Sequence, residues 1–308
     1  MRRSGKGKKK EKIKRTAAEK RQLRKERLIS LAFFSPSLIG LMIFFVLPFF
    51  VVVYYAFVNN PVQHQFVGFD NFRNLFQNYS FLLAAKNTAI FSAISVPAAV
   101  IGALVLACML NQKIPLKSQI RSFLLTPMMV PVASIVLIWQ VIFSNNGALN
   151  EFLANFGVDK IDWMKSEYNR YVVILLYLWK NLGYNMILFL AALNNVPNDI
   201  QEMAMLEGAG ALRIFFQIKL RYIFPTILFV TILSLINSMK IFREVYLLTG
   251  KYPYDGLYLL QHFMNNTFES MDYQKLSAAA LVLAAVMVVV IGLLFLVDGK
   301  MGKDVEEE

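Results

Sequence analysis

Four polar residues interrupt one apolar run of this 308-residue chain: Ser234, Asn237, Lys240 and Glu244, with Arg243 beside them. Their spacings of three, three and four put them on one face of a helix. A second apolar run contributes Lys180, Asn181 and Asn185. Charged and amide groups are costly in lipid and turn toward protein or water, so this set can line a polar path. Its donors and acceptors suit a polar ligand, with Trp179, Tyr184 or Phe242 available to cover one face of it. Two plainer readings compete. Lys240 and Glu244 can mark the outer water boundary of the helix or pair one turn apart, and Lys180 can snorkel or pair across an interface.

No catalytic set accompanies these residues. Cys108 is the single cysteine and lies in an apolar run, and His64 and His262 are the only histidines, so neither a disulfide framework nor a Cys/His metal spacing is present. Glu244 lacks a second carboxylate nearby for acid–base work. Gly250-Lys251 and Gly299-Lys300 lack the upstream glycine and the following Ser/Thr of a phosphate-cradling loop. The expectation is passage of a solute, with no catalytic residues, no metal and no cofactor on this chain.

The elements that must position the polar residues are membrane helices. Hydrophobic residues make up 57% of the chain and charged residues 17%, which exposes too much apolar surface for a water-soluble domain. No Asp, Glu, Lys or Arg occurs from Leu28 to Phe69, Asn87 to Gln112, Ser122 to Asn150, Tyr222 to Met239 or Leu276 to Val297, and Lys180 alone breaks the run from Tyr171 to Leu193. A helix needs about 20 residues to cross the hydrocarbon. Six spans are therefore predicted, near 30–57, 87–110, 121–143, 171–193, 224–246 and 276–297. The fold class is all-α: a basic tail over 1–27, a six-helix transmembrane domain over 28–298 and a second tail over 299–308.

Residues 1–27 hold 14 Lys/Arg against Glu11, Glu19 and Glu26. Beside a first span this charge retains the tail in the cytoplasm, and the following apolar segment is too long for a removable signal peptide. Retention is preferred over binding of nucleic acid, and no nucleic-acid partner is expected. Lys113, Lys117 and Arg121, then Arg213, Lys219 and Arg221, then Lys300 and Lys303 fall on the same side, giving 22 of the 32 Lys/Arg. Both termini and the connection at 194–225 are thus expected in the cytoplasm of a multi-pass cell-membrane protein.

Within that connection, Pro197 to Pro225 is a polar island. Asp199 and Glu202 have the spacing of a capping box, Pro197 stops the preceding helix, and Gly208 and Gly210 are expected to end the short helix in a left-handed turn. Glu202, Ala204, Gly208 and Ala209, followed by Ile218, Leu220 and Pro225, resemble the EAA loop of binding-protein-dependent ABC importer permeases. Gly68 to Phe72, Asn87-Thr88, Trp179 to Ala192 and Thr249 to Pro253 resemble the carbohydrate-uptake branch of that family. The chain departs from the pattern at Met203, Glu207, Arg221 and Lys251-Tyr252.

The resemblance implies that the loop over 197–225 docks on an ATPase through Glu202, Ala204, Gly208, Ala209 and Gly210. It also implies a second homologous permease, two ATPase subunits that use ATP and Mg, and an extracellular solute-binding protein delivering a sugar or oligosaccharide. The expected pathway residues are Lys180, Asn185, Ser234, Asn237, Lys240 and Glu244. An importer of anionic sugars or glycerol phosphate is one alternative. A secondary transporter, which would call for inverted repeats and broken helices, is another.

Overall fold

The computed structural model describes residues 17–60, 62–112 and 114–301. The basic stretch 1–16, Pro61, Lys113 and the end of the C-terminal tail at 302–308 lie outside the described residues. Among the described residues every regular element is helical, and the one β pairing is an isolated bridge between Val58 and Phe66. Six helical stretches are long and apolar enough to cross a membrane: Lys25–Ala56, Tyr79–Asn111, Val132–Ala154, Asn169–Asn194, Phe224–Thr249 and Tyr273–Val297.

The chain divides after Tyr54 into two units. The first contains α1 (Ala17–Leu41), a π-helical turn (Met42–Val46) and most of α2 (Leu47–Ala56). Phe33, Phe44 and Phe45 project outward here, and a helix apolar on all sides is suited to lipid.

The second unit opens with α3 (Asp70–Phe76), tied to the preceding chain by Asn71, whose Nδ2 donates to the carbonyls of Ala56 and Val58. Asn78 caps α4 (Tyr79–Asn111) by accepting the Phe81 N–H at 3.0 Å, so this helix starts well before the expected residue 87. Next come α5 (Lys117–Met129), α6 (Val132–Phe143) and α7 (Ala148–Ala154). The single helix expected over 121–143 is instead broken at Val130, which is extended, and Pro131. Proline has no N–H to continue the ladder and pushes its predecessor out of helical geometry.

The centre of this unit is α8 (Asn169–Asn194), which packs against α4, α5 and α12 (Phe224–Lys240). Ala99, Ala103 and Ala107 recur every fourth residue on α4 and are fully buried, letting α4 approach α8, with Ala103 and Ala107 beside Met186, Phe189 and Leu190 and Ala99 in the cluster of Val173, Ile174 and Tyr177. Gly183 does the same for α5: a Cβ there would stand 1.9 Å from the Leu124 carbonyl oxygen. Between α8 and α12 lie α9 (Asn198–Leu206), α10 (Ala211–Ile214), a π-helical turn (Phe215–Lys219) and α11 (Leu220–Tyr222). Beyond α12 come α13 (Phe242–Thr249), a 3-10 turn (Asp255–Leu257), α14 (Leu260–Glu269) and α15 (Tyr273–Met301).

Asn87 and Thr88 hold the connection after α13 in place. Asn87 donates to the carbonyls of Asp255 and Tyr258 and accepts from Arg170 at 3.2 Å, while Thr88 accepts the Leu260 N–H at 2.8 Å.

Candidate functional site

Where α5, α8, α12 and α13 meet, a cavity of about 370 Å³ opens beside Lys180, Asn181 and Tyr184 of α8, Asn237 and Lys240 of α12, and Glu244 of α13. The helical phase anticipated from sequence brings Asn237, Lys240 and Glu244 to one wall. Met128, next to the break at Val130, supplies part of the opposite side. No sequence signal singled out Met128, because an apolar residue in an apolar window carries no mark of its own.

Two of the six expected pathway residues are spent on packing. Asn185 and Ser234 are fully buried, and Asn185 Nδ2 donates to Ser234 Oγ at 2.8 Å. The Tyr177 hydroxyl adds a bond to the Ser234 carbonyl at 2.7 Å. This knot joins α8 to α12, and neither residue lines this cavity. A buried polar side chain must find a partner, and in a helix bundle the adjacent helix supplies it.

Lys180 and Glu244 form an ion pair through Nζ and Oε1. Glu244 therefore does not pair with Lys240 one turn away: it points inward and is 2% exposed, whereas Lys240 is exposed. Among the described residues the other carboxylate oxygen, Oε2, is buried without a hydrogen-bond partner, and Lys180 is the cation paired with that charge. Asn237 donates to Asn181 Oδ1 at 3.1 Å, and Asn181 in turn donates to the Tyr177 carbonyl at 2.8 Å. The wall thus presents ammonium, amide and phenol groups in fixed orientations. Of the aromatic residues expected to cover a ligand, only Tyr184 lines this cavity. Trp179 packs on Trp139 at 5.1 Å, and Phe242 sits edge-on to His262 at 4.7 Å.

The second expected site is a helix–glycine–helix hairpin. Pro197, not Asp199, takes the N-cap position of α9, and no side chain caps it. The anticipated capping box is replaced by Asp199 in the first turn, where its carboxylate meets the positive end of the helix dipole. Gly208 adopts φ +83°, and the Ala209 N–H returns to the Ala204 carbonyl at 2.9 Å, closing the helix as expected. Gly210 does not share that turn: with φ −71° it is the extended N-cap of α10.

Glu202 and Gly208 are exposed, and Ala204 and Ala209 are half-buried. The most prominent surface nearby is apolar: Met203, Met205, Leu206 and Leu212 all project outward, Leu206 at 88% exposure. Sequence reasoning passed over these four in favour of the small and charged positions. Large apolar side chains inside a polar island were the available signal.

Residues 95–303 match the family described as binding-protein-dependent transport system inner membrane component. The chain is 30% identical to the probable ABC transporter permease protein YesP of Bacillus subtilis (strain 168), covering 90% of this chain and 91% of that one. It is 29% identical to the lactose transport system permease protein LacF of Rhizobium radiobacter, covering 85% and 91% respectively. Among solved structures, a chain of a bacterial ABC transporter involved in the import of the acidic polysaccharide alginate superposes with a TM-score of 0.80 at 23% identity, over 91% of this chain and 98% of that one. That likeness extends to the helix order and the fold.

Proposed function

The chain belongs to the binding-protein-dependent transport system inner membrane component family, and on that premise we propose that it is the permease subunit of an ATP-driven importer, providing half of a transmembrane pathway for a sugar or oligosaccharide. It is a multi-pass membrane protein and a transport subunit rather than an enzyme. The observation that carries the substrate reading is the cavity of ammonium, amide and phenol groups set among apolar helices. A hydroxyl-rich solute leaving water needs such partners where lipid offers none. The lactose permease named above supports the same class.

A solute-binding protein outside the cell hands over the solute, in keeping with the family's description. A second homologous permease completes the pathway. The hairpin at α9 and α10 docks on one of two ATPase subunits, which bind the ATP and Mg, and Glu202, Ala204, Gly208, Ala209 and Gly210 shape that contact. Exposed Met203, Leu206 and Leu212 give it apolar area. Arg213, Lys219 and Arg221 favour a cytoplasmic hairpin, with both termini on the same side.

The test is co-purification of the chain with the permease, ATPase and binding protein of its gene neighbourhood, followed by reconstitution into vesicles. Sugar uptake that requires binding protein and ATP is the expected result. Uptake without ATP, driven by an ion gradient, would instead identify a secondary transporter.

A further inference from the structure

The buried charge of the cavity is an ion pair, and this bears on what the pathway accepts. We infer that Glu244 is the charge-specificity determinant of the pathway: by cancelling the charge of Lys180 it makes this cavity a site for an uncharged, hydroxyl-rich solute. The inference rests on the permease reading above and narrows its substrate class.

The geometry supports each step. The Lys180 side chain is 26% exposed and that of Glu244 only 3%, so the ammonium faces the cavity with the carboxylate behind it. An ammonium has three donors, and the one hydrogen bond of Lys180 is to Glu244, which leaves two for ligand oxygens. A sugar hydroxyl can use them at no cost in charge. An anionic group brought to the same donors would also approach Glu244, whose repulsion offsets much of the attraction to Lys180. Asn181, Tyr184 and Asn237 add further uncharged partners on the same wall.

The remaining cation of the cavity is Lys240, which is exposed at the rim. Charges in that position are screened by salt over about 8 Å under physiological conditions. Counting residues in the sequence gives three cations, Lys180, Lys240 and Arg243, against one acid and suggests an anionic path. Arg243 lines an adjoining cavity, with Phe242, Tyr246 and Gln261, that shares Lys240 with this one, and Lys180 is neutralised by Glu244. The buried charge of this cavity is therefore balanced, and Lys240 is the cation it shares with its neighbour.

The complex with its partner permease and ATPases, in lipid nanodiscs and without the binding protein, permits a direct test. Equilibrium binding of maltotriose and of trigalacturonate, a neutral and an anionic trisaccharide, is measured for the natural protein, Glu244→Gln, and Lys180→Gln with Glu244→Gln together. The natural protein should prefer the neutral probe. Glu244→Gln, leaving Lys180 unbalanced, should move the ratio of the two affinities about tenfold toward the anion, and the double change should restore it to within about threefold, since a net charge is gained and then removed. Preference for the anion by the natural protein, absence of neutral-probe binding, or an unchanged ratio in an assembled Glu244→Gln complex would overturn the assignment.

Should Glu244→Gln fail to assemble, the double variant decides: retained neutral preference supports the inference and a shift to the anion refutes it. ATP-driven uptake with the binding protein present, measured on the same preparations, separates the two levels. Its absence for every solute defeats the permease reading, whereas normal uptake with charge-indifferent binding defeats only the role of Glu244.

Discussion

Removing either member of the Lys180–Glu244 pair should destabilise the protein, and by unequal amounts. Glu244 is 2% exposed, and among the described residues its Oε2 has no donor and Lys180 is its one paired cation. Lys180→Met strands that carboxylate in the bundle, and breaking a buried pair in this way costs about 3–5 kcal/mol. Glu244→Gln is milder. The Lys180 side chain is 26% exposed and its ammonium can turn toward the cavity, so the loss is at most that of one charge-assisted hydrogen bond, about 1.5–3 kcal/mol. Lys180→Met with Glu244→Gln removes both charges together and should cost less than Lys180→Met alone, because no buried carboxylate is left unpaired. The cycle therefore predicts strongly non-additive changes. Unfolding in mixed micelles can be followed by fluorescence, since Trp139, Trp163 and Trp179 all belong to one cluster against α8. Equal costs for the two single changes, or an additive double variant, would refute the argument that Glu244 depends on Lys180 alone.

Gly208→Val forces a β-branched residue into φ +83° at a cost of about 1–3 kcal/mol and, like Glu202→Lys, should leave the protein inserted while abolishing ATP-dependent uptake; measuring uptake beside ATPase co-purification checks this. Glu207→Cys in a Cys108→Ser background should resist impermeant thiol reagents in intact cells, and external labelling would reverse the topology. Gly183→Leu, whose side chain must occupy the position of the Leu124 backbone, should reduce the amount of folded protein severely, as read by size-exclusion of the detergent extract. Burial pushes the imidazole of His262, on the connecting helix α14, down to about 4 from 6.5. The unfolded chain then binds more protons between those two values, so stability is complete above about pH 6.5 and falls toward pH 4 by at most about 3 kcal/mol. His262→Gln, which can still accept the Leu259 N–H, should remove that pH dependence from the thermal unfolding midpoint.

Charge-free windows announced five of the membrane helices, and an apolar run broken at Lys180 alone the other, because lipid tolerates few ionised groups; the turn at Gly208 followed from the one residue type that adopts its backbone angle freely. The break at Val130 was hidden, since hydropathy is blind to a missing backbone donor and Pro131 is itself apolar. Asn78 lies before the charge-free window of its helix, so the N-terminal extension of α4 was equally silent. At the cavity, spacing placed Asn237, Lys240 and Glu244 correctly on one wall. It could not show that Glu244 turns to Lys180 on another helix instead of to Lys240, or that Asn185 and Ser234 spend their polarity on each other. Those choices are made between helices distant in sequence, where helical periodicity carries no information.

The broken third segment also imposes an order on biosynthesis. The 13 residues of α5 extend about 20 Å, short of a hydrocarbon layer of about 30 Å, whereas α6 continues into the crossing stretch Val132–Ala154. By length, α5 is not a self-sufficient stop for a translocating chain. The surface against which α5 closes, at Gly183, belongs to α8 and is synthesised only after α7 has emerged. The third and fourth segments consequently reach their final seating as a pair, with α5 waiting for a helix the ribosome has yet to make.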